Sequence, residues 1–425
     1  MFEEFCHNVI HNMFKPLLLF FYMGFSIPLL RVKFEFPHVL YQAITLYLLV
    51  AIGWHGGEEL AQVGATEFVQ AAGFMLIGFL TNFCIGILAY VILRRLTSLR
   101  KIDAATVAGF YGSDSAGTFV TCLGVLTAAN IAFAPYMPVM LAVMEIPGCL
   151  VALFLVSVLR RQGMDTHGNM PDEPGYSATA EEDHEEVEES TGVTIRRMRH
   201  EGEHASGASA LALAVKRPGV GKEGGHDHDH GDHHHDETHG NQPRHRPRLI
   251  NPHVLHEVFL NPGLFLLFGG IIIGFVSRLQ GKSVTAPDDS LFVTLFQGIL
   301  CLFLLEMGIT ACKRLKDLRT AGWRFVAFGL LVPNLFALIG ISVAHLYSHA
   351  IGQPLEVGTY ALFSVLCAAA SYIAVPAVQR LAIPEARPTL PLAASLGLTF
   401  SYNVTIGIPL YIMITKLMIE AWPVV

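Results

Sequence analysis

A chain of 425 residues could hold two or three soluble domains, but 52% of it is apolar, 15% is charged and 28 residues are Phe. The net charge of −7 is concentrated: residues 160–250 carry 18 Asp/Glu, 11 Lys/Arg and 12 of the 20 His, while the remainder carries 17 acids against 17 bases. With a mean hydropathy of +0.47, this excludes an ordinary soluble protein and leaves nothing basic enough to neutralise nucleic-acid phosphates. The seven Cys fall mostly in apolar segments without paired or metal spacing, so neither a disulfide framework nor a zinc ribbon is expected.

In chain order, ten apolar stretches of spanning length or nearly so lie near 14–30, 37–55, 70–93, 104–128, 136–159, 262–279, 291–311, 323–346, 356–380 and 390–416. The first follows Lys15 with no small-residue cleavage site, so it reads as a retained span. Ten spans put both termini on one side of the bilayer. That side carries Lys15, Arg278, Lys282 and Lys416, while the opposite side carries fifteen basic residues, Arg94, Arg95, Arg160 and Arg161 among them. The positive-inside rule then directs the termini outward and residues 160–255 to the cytoplasm of a plasma or inner membrane.

The chain reads as duplicated. Leu48-Leu49-Val50-Ala51-Ile52-Gly53 with Glu58-Glu59-Leu60 aligns without gaps at an offset of 255 to Leu304-Leu305-Glu306-Met307-Gly308 with Lys313-Arg314-Leu315. Glu-Glu facing Lys-Arg is the charge swap expected of two copies inserted upside down, and five spans per half force the same inversion. Glu145-Ile146-Pro147-Gly148 similarly parallels Gly407-Ile408-Pro409. The expected fold is an all-α polytopic membrane protein of two inverted five-helix repeats, residues 1–159 and 256–425, split by the insert 160–255. Inverted repeats are the habit of secondary transporters, which hold substrate near the midplane between interrupted helices.

The fourth span contains Tyr111-Gly112-Ser113-Asp114-Ser115-Ala116-Gly117-Thr118-Phe119. Gly lets a helix unwind, which is tolerated at this depth only beside protein or a cavity. A helix restarting near Ser115–Thr118 would aim free N–H groups at the break and attract a small anion. The hydroxyls and released carbonyls there suit a hard cation, and Asp114 is a carboxylate too costly to keep at mid-membrane without a role. The offset carries Ala116 onto Ser371, within Ala368-Ala369-Ala370-Ser371-Tyr372-Ile373-Ala374-Val375-Pro376 of the ninth span, a second break expected to cross the first. Glu145 and Glu306 are the other intramembrane acids, each open as a sodium ligand, a proton carrier or a structural acid. Ser401, Asn403 and Thr405 give the tenth span a polar face. In the insert, His226, His228, His230, His233, His234, His235 and His239 alternate with acids, a tract that binds transition metals in solution and whose composition predicts a disordered loop.

The segments Tyr111–Phe119, Met144-Glu145-Ile146-Pro147, Leu305–Gly308 and Ala369–Pro376, in this order on ten spans split by a long loop, resemble the cyanobacterial sodium-dependent bicarbonate transporter family over about residues 14–160 and 252–418. The resemblance implies bicarbonate import by sodium symport, with core helices alternating against gate helices in a homotrimer within the lipid bilayer. It also implies a small PII-like regulator on the cytoplasmic face. Carried over, the anion site takes Gly112, Ser113, Ser115, Gly117 and Thr118 from one break and Ala369, Ala370 and Ser371 from the other, with Tyr372 beside them as a further candidate. Read from the residues themselves, the candidates for ion coupling are Asp114, Thr118, Glu145, Glu306, Ser371 and Asn403. Two departures stand out: family members carry a Ser-rich stretch followed by Asp in the second break, where this chain has Tyr372 and Ala374, and Asp114 takes an apolar position of the first. The carboxylate has changed broken helices, which leaves proton coupling or another small anion as the alternatives.

Other classes fit less well. A divalent-metal carrier needs His and Asp ligands inside the membrane, yet His38, His55, His345 and His349 sit at span ends. An antiporter of this topology would want paired acids at the crossing. An intramembrane enzyme would need a His-Glu-x-x-His, a Gly-x-Gly-Asp pair or a Ser–His set inside a span, and the spans hold none; the His-Glu-x-x-His at His200–His204 lies in the polar insert. A non-transporting sensor is separated from a transporter only by flux.

Overall fold

The computed structural model describes residues 14, 16–177, 262–315, 318, 322–372 and 374–424. Among the described residues every regular element is a helix. Before the insert these are α1 (Pro16–Leu29), α2 (His38–Leu60), α3 (Ala65–Leu96), α4 (Lys101–Tyr111), α5 (Ala116–Ala128) and α6 (Met137–Arg161). After it come α7 (Pro262–Leu279), α8 (Lys282–Arg314), α9 (Trp323–Ile351), α10 (Val357–Ala368), α11 (Ala374–Ala382) and α12 (Thr389–Ala421). The helices α2, α3, α6, α8, α9 and α12 are six that are long and apolar enough to cross a membrane. Pro16–Leu29, Phe265–Leu279 and Val357–Ala368 are shorter apolar helices.

The polarity of the fold is that of a membrane protein. Leu331, Leu335 and Leu338 form an exposed stripe on α9, and Leu76 and Leu80 one on α3. Meanwhile Asn82, Asp114, Ser364, Ser371, Ser395, Thr399 and Asn403 are all buried. Lipid offers apolar side chains no reason to hide, so helix contacts rest on close packing and internal hydrogen bonds instead. Gly53 on α2 lies against the Leu267 carbonyl of α7, and Gly308 on α8 lies against the Phe21 carbonyl of α1. A Cβ at either position would overlap backbone, so these two crossings require Gly.

Helices α3, α4 and α6 pack together, as do α9, α10 and α12, while α2 lies along α7 and α1 along α8. The expected fourth and ninth spans are each two helices with an irregular stretch between them. The tenth, expected as a plain span, contains two π-helical stretches, Ala393–Phe400 and Asn403–Gly407. Such wide turns are frequent at functional sites.

Residues 162–177, which composition assigns to the polar insert, fold back onto α4. Asp165 accepts hydrogen bonds from the backbone N–H groups of His167 (2.9 Å), Asn169 (2.7 Å) and Ser177 (3.1 Å). Burial pushes its carboxyl up, but the bonds from Asn169, Ser177 and His167 outweigh that and hold it below the ordinary aspartate range. Glu173 caps the start of α4 by accepting from the Lys101 N–H at 2.7 Å, a favourable place for a carboxylate beside the helix dipole. Lys101 Nζ pairs with Asp172 at 2.7 Å and lowers its pKa. Arg100 donates through Nε and Nη2 to both oxygens of Asp103, at 2.8 and 3.0 Å, and to the His167 carbonyl at 2.9 Å. The seven insert His that sequence singles out lie outside the described residues.

Candidate functional site

The first break begins where α4 runs out at Tyr111. The Gly112 N–H still reaches the Ala108 carbonyl at 2.8 Å, and α5 restarts at Ala116 with Ser115 as its cap. Ser115 Oγ accepts from the Thr118 N–H at 3.3 Å and from the Thr118 hydroxyl at 3.0 Å, so two of the expected ligands satisfy each other. Helix α6 admits the break because Gly148 carries no side chain where Ser113 and the Gly109 carbonyl press in. Ser113 donates from its hydroxyl to the Glu145 carbonyl at 2.8 Å.

Asp114 is fully buried, and neither carboxylate oxygen has a hydrogen-bond partner. Its electrostatic neighbours are Glu145 on α6 and Cys367 on α10. Asn82, also fully buried, donates to the Met144 carbonyl at 3.1 Å and leaves its own Oδ1 unpartnered. The Asn82 backbone carbonyl borders Gly112. Buried polar atoms ordinarily find partners; here an orphaned carboxylate and an orphaned amide oxygen flank the same break. Hard oxygen donors of this type are what a sodium ion takes.

The second break lies alongside the first. The Ser371 N–H donates to the Phe110 carbonyl at 2.9 Å, tying it to the end of α4. Ser395 Oγ on α12 bridges the Ala370 and Ser371 carbonyls at 3.2 and 3.0 Å. Asn403 donates to the Ala368 carbonyl at 3.0 Å and accepts from Tyr411 at 2.8 Å. Thr399 completes this face of α12, donating to the Gly329 carbonyl at 2.9 Å and lying 2.6 Å from the Tyr111 hydroxyl. Tyr372 packs edge-on to Phe400, with ring centroids 5.7 Å apart. Its hydroxyl rests over Gly117 beside Ser115, without a well-formed hydrogen bond. The Tyr372 side chain therefore closes the start of α5, where a Cβ on Gly117 would strike it.

Of the residues singled out from sequence, Gly112, Ser113, Asp114, Ser115, Gly117, Thr118, Ala369, Ala370, Ser371, Tyr372, Glu145 and Asn403 belong to this crossing or border it. Glu306 stands apart on α8: it accepts from Thr310 at 2.9 Å and faces Tyr41 and His38 of α2. It is one turn from Phe303, whose ring touches the Gly117 position. Ser401 and Thr405 bond within their own helix, to the Leu396 and Ser401 carbonyls, rather than across to a break. Three contributors were missed. Ser395 and Thr399 form an i, i+4, i+8 row with Asn403 that a search for interrupted spans ignores, and Asn82 is one amide in an apolar span. Among the described residues no group of three or more His, Cys, Asp or Glu could hold a metal ion.

Exposed apolar stripes around a twice-interrupted interior that buries polar groups define an integral membrane protein. The chain belongs to the Na+-dependent bicarbonate transporter superfamily, which it matches over residues 16–416, nearly its whole length. Membership makes it a transporter rather than an enzyme. No curated protein matches the chain in sequence.

Proposed function

We propose that this protein imports bicarbonate by sodium symport, with the anion held between the two breaks and sodium at Asp114. The observation that carries this reading is Asp114 itself, fully buried between broken helices with both oxygens free of protein partners. A buried carboxylate without a partner costs several kcal/mol, and a bound cation removes that cost. Thr118, Ser371 and Glu145 are the nearby oxygen donors assigned to the same role. Tyr372 must swing off Gly117 before the N-terminal N–H groups of α5 can meet an anion.

In this reading the chain crosses the membrane ten times. The six long helices, the shorter α1 and α7, and the pairs α4/α5 and α10/α11 make ten spans in two sets of five. Support for inverted repeats comes from the packing: the contact of α2 with α7 has its counterpart in α8 with α1, and that of α3 with α6 in α9 with α12. Gly53 and Gly308, equivalent at the 255-residue offset, each seat such a crossing. Alternating access then moves the set carrying the breaks against α1, α2, α7 and α8. A cytoplasmic insert, a homotrimer and a PII-like regulator complete the assembly that the family resemblance implies.

Radiolabelled bicarbonate uptake into proteoliposomes, driven by a sodium gradient, a proton gradient or neither, tests the proposal. Sodium-driven accumulation is expected. Uptake driven by protons alone would assign Asp114 to proton coupling, the second reading that an unpartnered carboxylate supports. Failure of both gradients at every pH would remove bicarbonate as the substrate.

A further inference from the structure

A cavity of about 220 Å³ opens beside the second break, away from Asp114, and none of the site chemistry above uses it. Its walls are Phe110 of α4, Pro376 and Gln379 of α11, and Ala386, Arg387 and Pro388 of the connection into α12. The inner wall is contiguous with the crossing: Phe110 gives its carbonyl to Ser371, and Gln379 donates to the Thr106 carbonyl at 2.9 Å. The outer rim is charged. Asp103 is shared by two guanidinium groups, with Arg100 gripping both oxygens while Arg387 Nε stands 4.0 Å away with its side chain 70% exposed. The neighbouring Glu385 is engaged by Arg160 at 2.9 Å. Arg387 is the most exposed of the three Arg and the one charged residue among those lining the cavity.

We propose that this cavity is an anion vestibule, in which Arg387 holds a small inorganic anion just outside the crossing and Phe110 separates it from the two breaks. The volume admits an anion with several waters and is too small for a nucleotide. Gln379 has its amide committed to Thr106, so it shapes the wall, and attraction at the rim falls to Arg387. Since the crossing cannot take up or release an anion through packed side chains, the open space next to it supplies the path. The rim shares Asp103 with α4, so occupancy by an anion competes with the Arg387–Asp103 contact and is felt at the start of a broken helix. This inference rests on the transport reading for the identity of the anion, but its electrostatics can be read without any flux.

The experiment uses purified full-length protein carrying Ala386→Cys, with Pro388→Cys as a second reporter should the first fold poorly. Anionic and cationic thiosulfonates of similar size react with each variant, and modification of the reporter peptide is followed by mass spectrometry against a free-thiol standard. An exposed guanidinium lining the cavity predicts that the anionic reagent reacts about tenfold faster at low salt, and less so at high salt. Arg387→Gln should abolish the preference and Arg387→Lys should retain it. Millimolar bicarbonate should slow the anionic reagent. A preference below about twofold at low salt, or one that survives Arg387→Gln, overturns the vestibule. So does protection by a nucleotide at concentrations where no inorganic anion protects. If the preference depends on Arg387 and another small anion protects where bicarbonate does not, the vestibule stands and the substrate assignment falls.

Discussion

Replacing Asp114 by Asn changes one atom and one charge at a fully buried position where neither oxygen has a protein partner. In sodium-free buffer the wild-type carboxylate bears an uncompensated desolvation cost of several kcal/mol. An amide there costs about 1–3 kcal/mol for its unmet hydrogen bonds. Asp114→Asn is therefore expected to be more stable than wild type without sodium, by about 1–3 kcal/mol. With sodium the order closes or reverses, because each tenfold rise above the dissociation constant adds about 1.4 kcal/mol to a protein that binds the ion and nothing to one that does not. For a chain of this size that is a rise of about 1–3 °C per decade. Thermal unfolding in detergent, titrated with sodium chloride against choline chloride, reads both effects from one set of curves. The reasoning fails if Asp114→Asn is less stable than wild type in choline, or if its transition temperature still climbs with sodium.

Three further outcomes follow from the same contacts. Gly117→Ala drives a methyl into the Tyr372 hydroxyl and the Phe303 ring, and should cost about 1–3 kcal/mol in thermal unfolding; adding Tyr372→Phe should restore most of the loss. Ser395→Ala strips the hydroxyl that serves the Ala370 and Ser371 carbonyls. The expected cost is about 1–2 kcal/mol, accompanied by faster amide exchange across residues 369–372. In the connection 162–177, a depressed Asp165 carboxyl stabilises the fold fully above the ordinary aspartate value, and that contribution is lost as pH falls through its folded value. Amide exchange at Asn169 and Ser177, corrected for intrinsic rates, should therefore be slow at neutral pH and quicken below about pH 4. Asp165→Asn should show the fast exchange already at pH 7.

The first break was legible because its chemistry is local: three Gly, two Ser and an Asp within one apolar span have no other good use. The second was legible only through the 255-residue offset, since Ala369-Ala370-Ser371 alone resembles a packing seam. What the sequence hid is long-range. Ser395 and Thr399 act on residues far away in the chain, and the π turns that present them leave no mark in hydropathy. Ser401 and Thr405, on the polar face of the same span, bond within their own helix, because hydroxyls in an apolar helix can satisfy themselves on their own backbone. Composition also put the insert's start at the end of the fifth span. The ordered connection depends instead on Asp172 and Glu173 meeting Lys101, some seventy residues earlier, and on the turn that Asp165 closes with Ser177.

That connection has a practical corollary for anyone attaching a tag, a fluorophore or a rigid fiducial to this chain. A foreign domain spliced in at residue 162 would tear out the Asp165 turn and uncap α4 together. The same domain joined after Ser177, whose N–H closes the Asp165 turn at 3.1 Å, would leave both in place. Residue 177 is thus the seam at which cargo can be hung without its weight being transmitted to a broken helix.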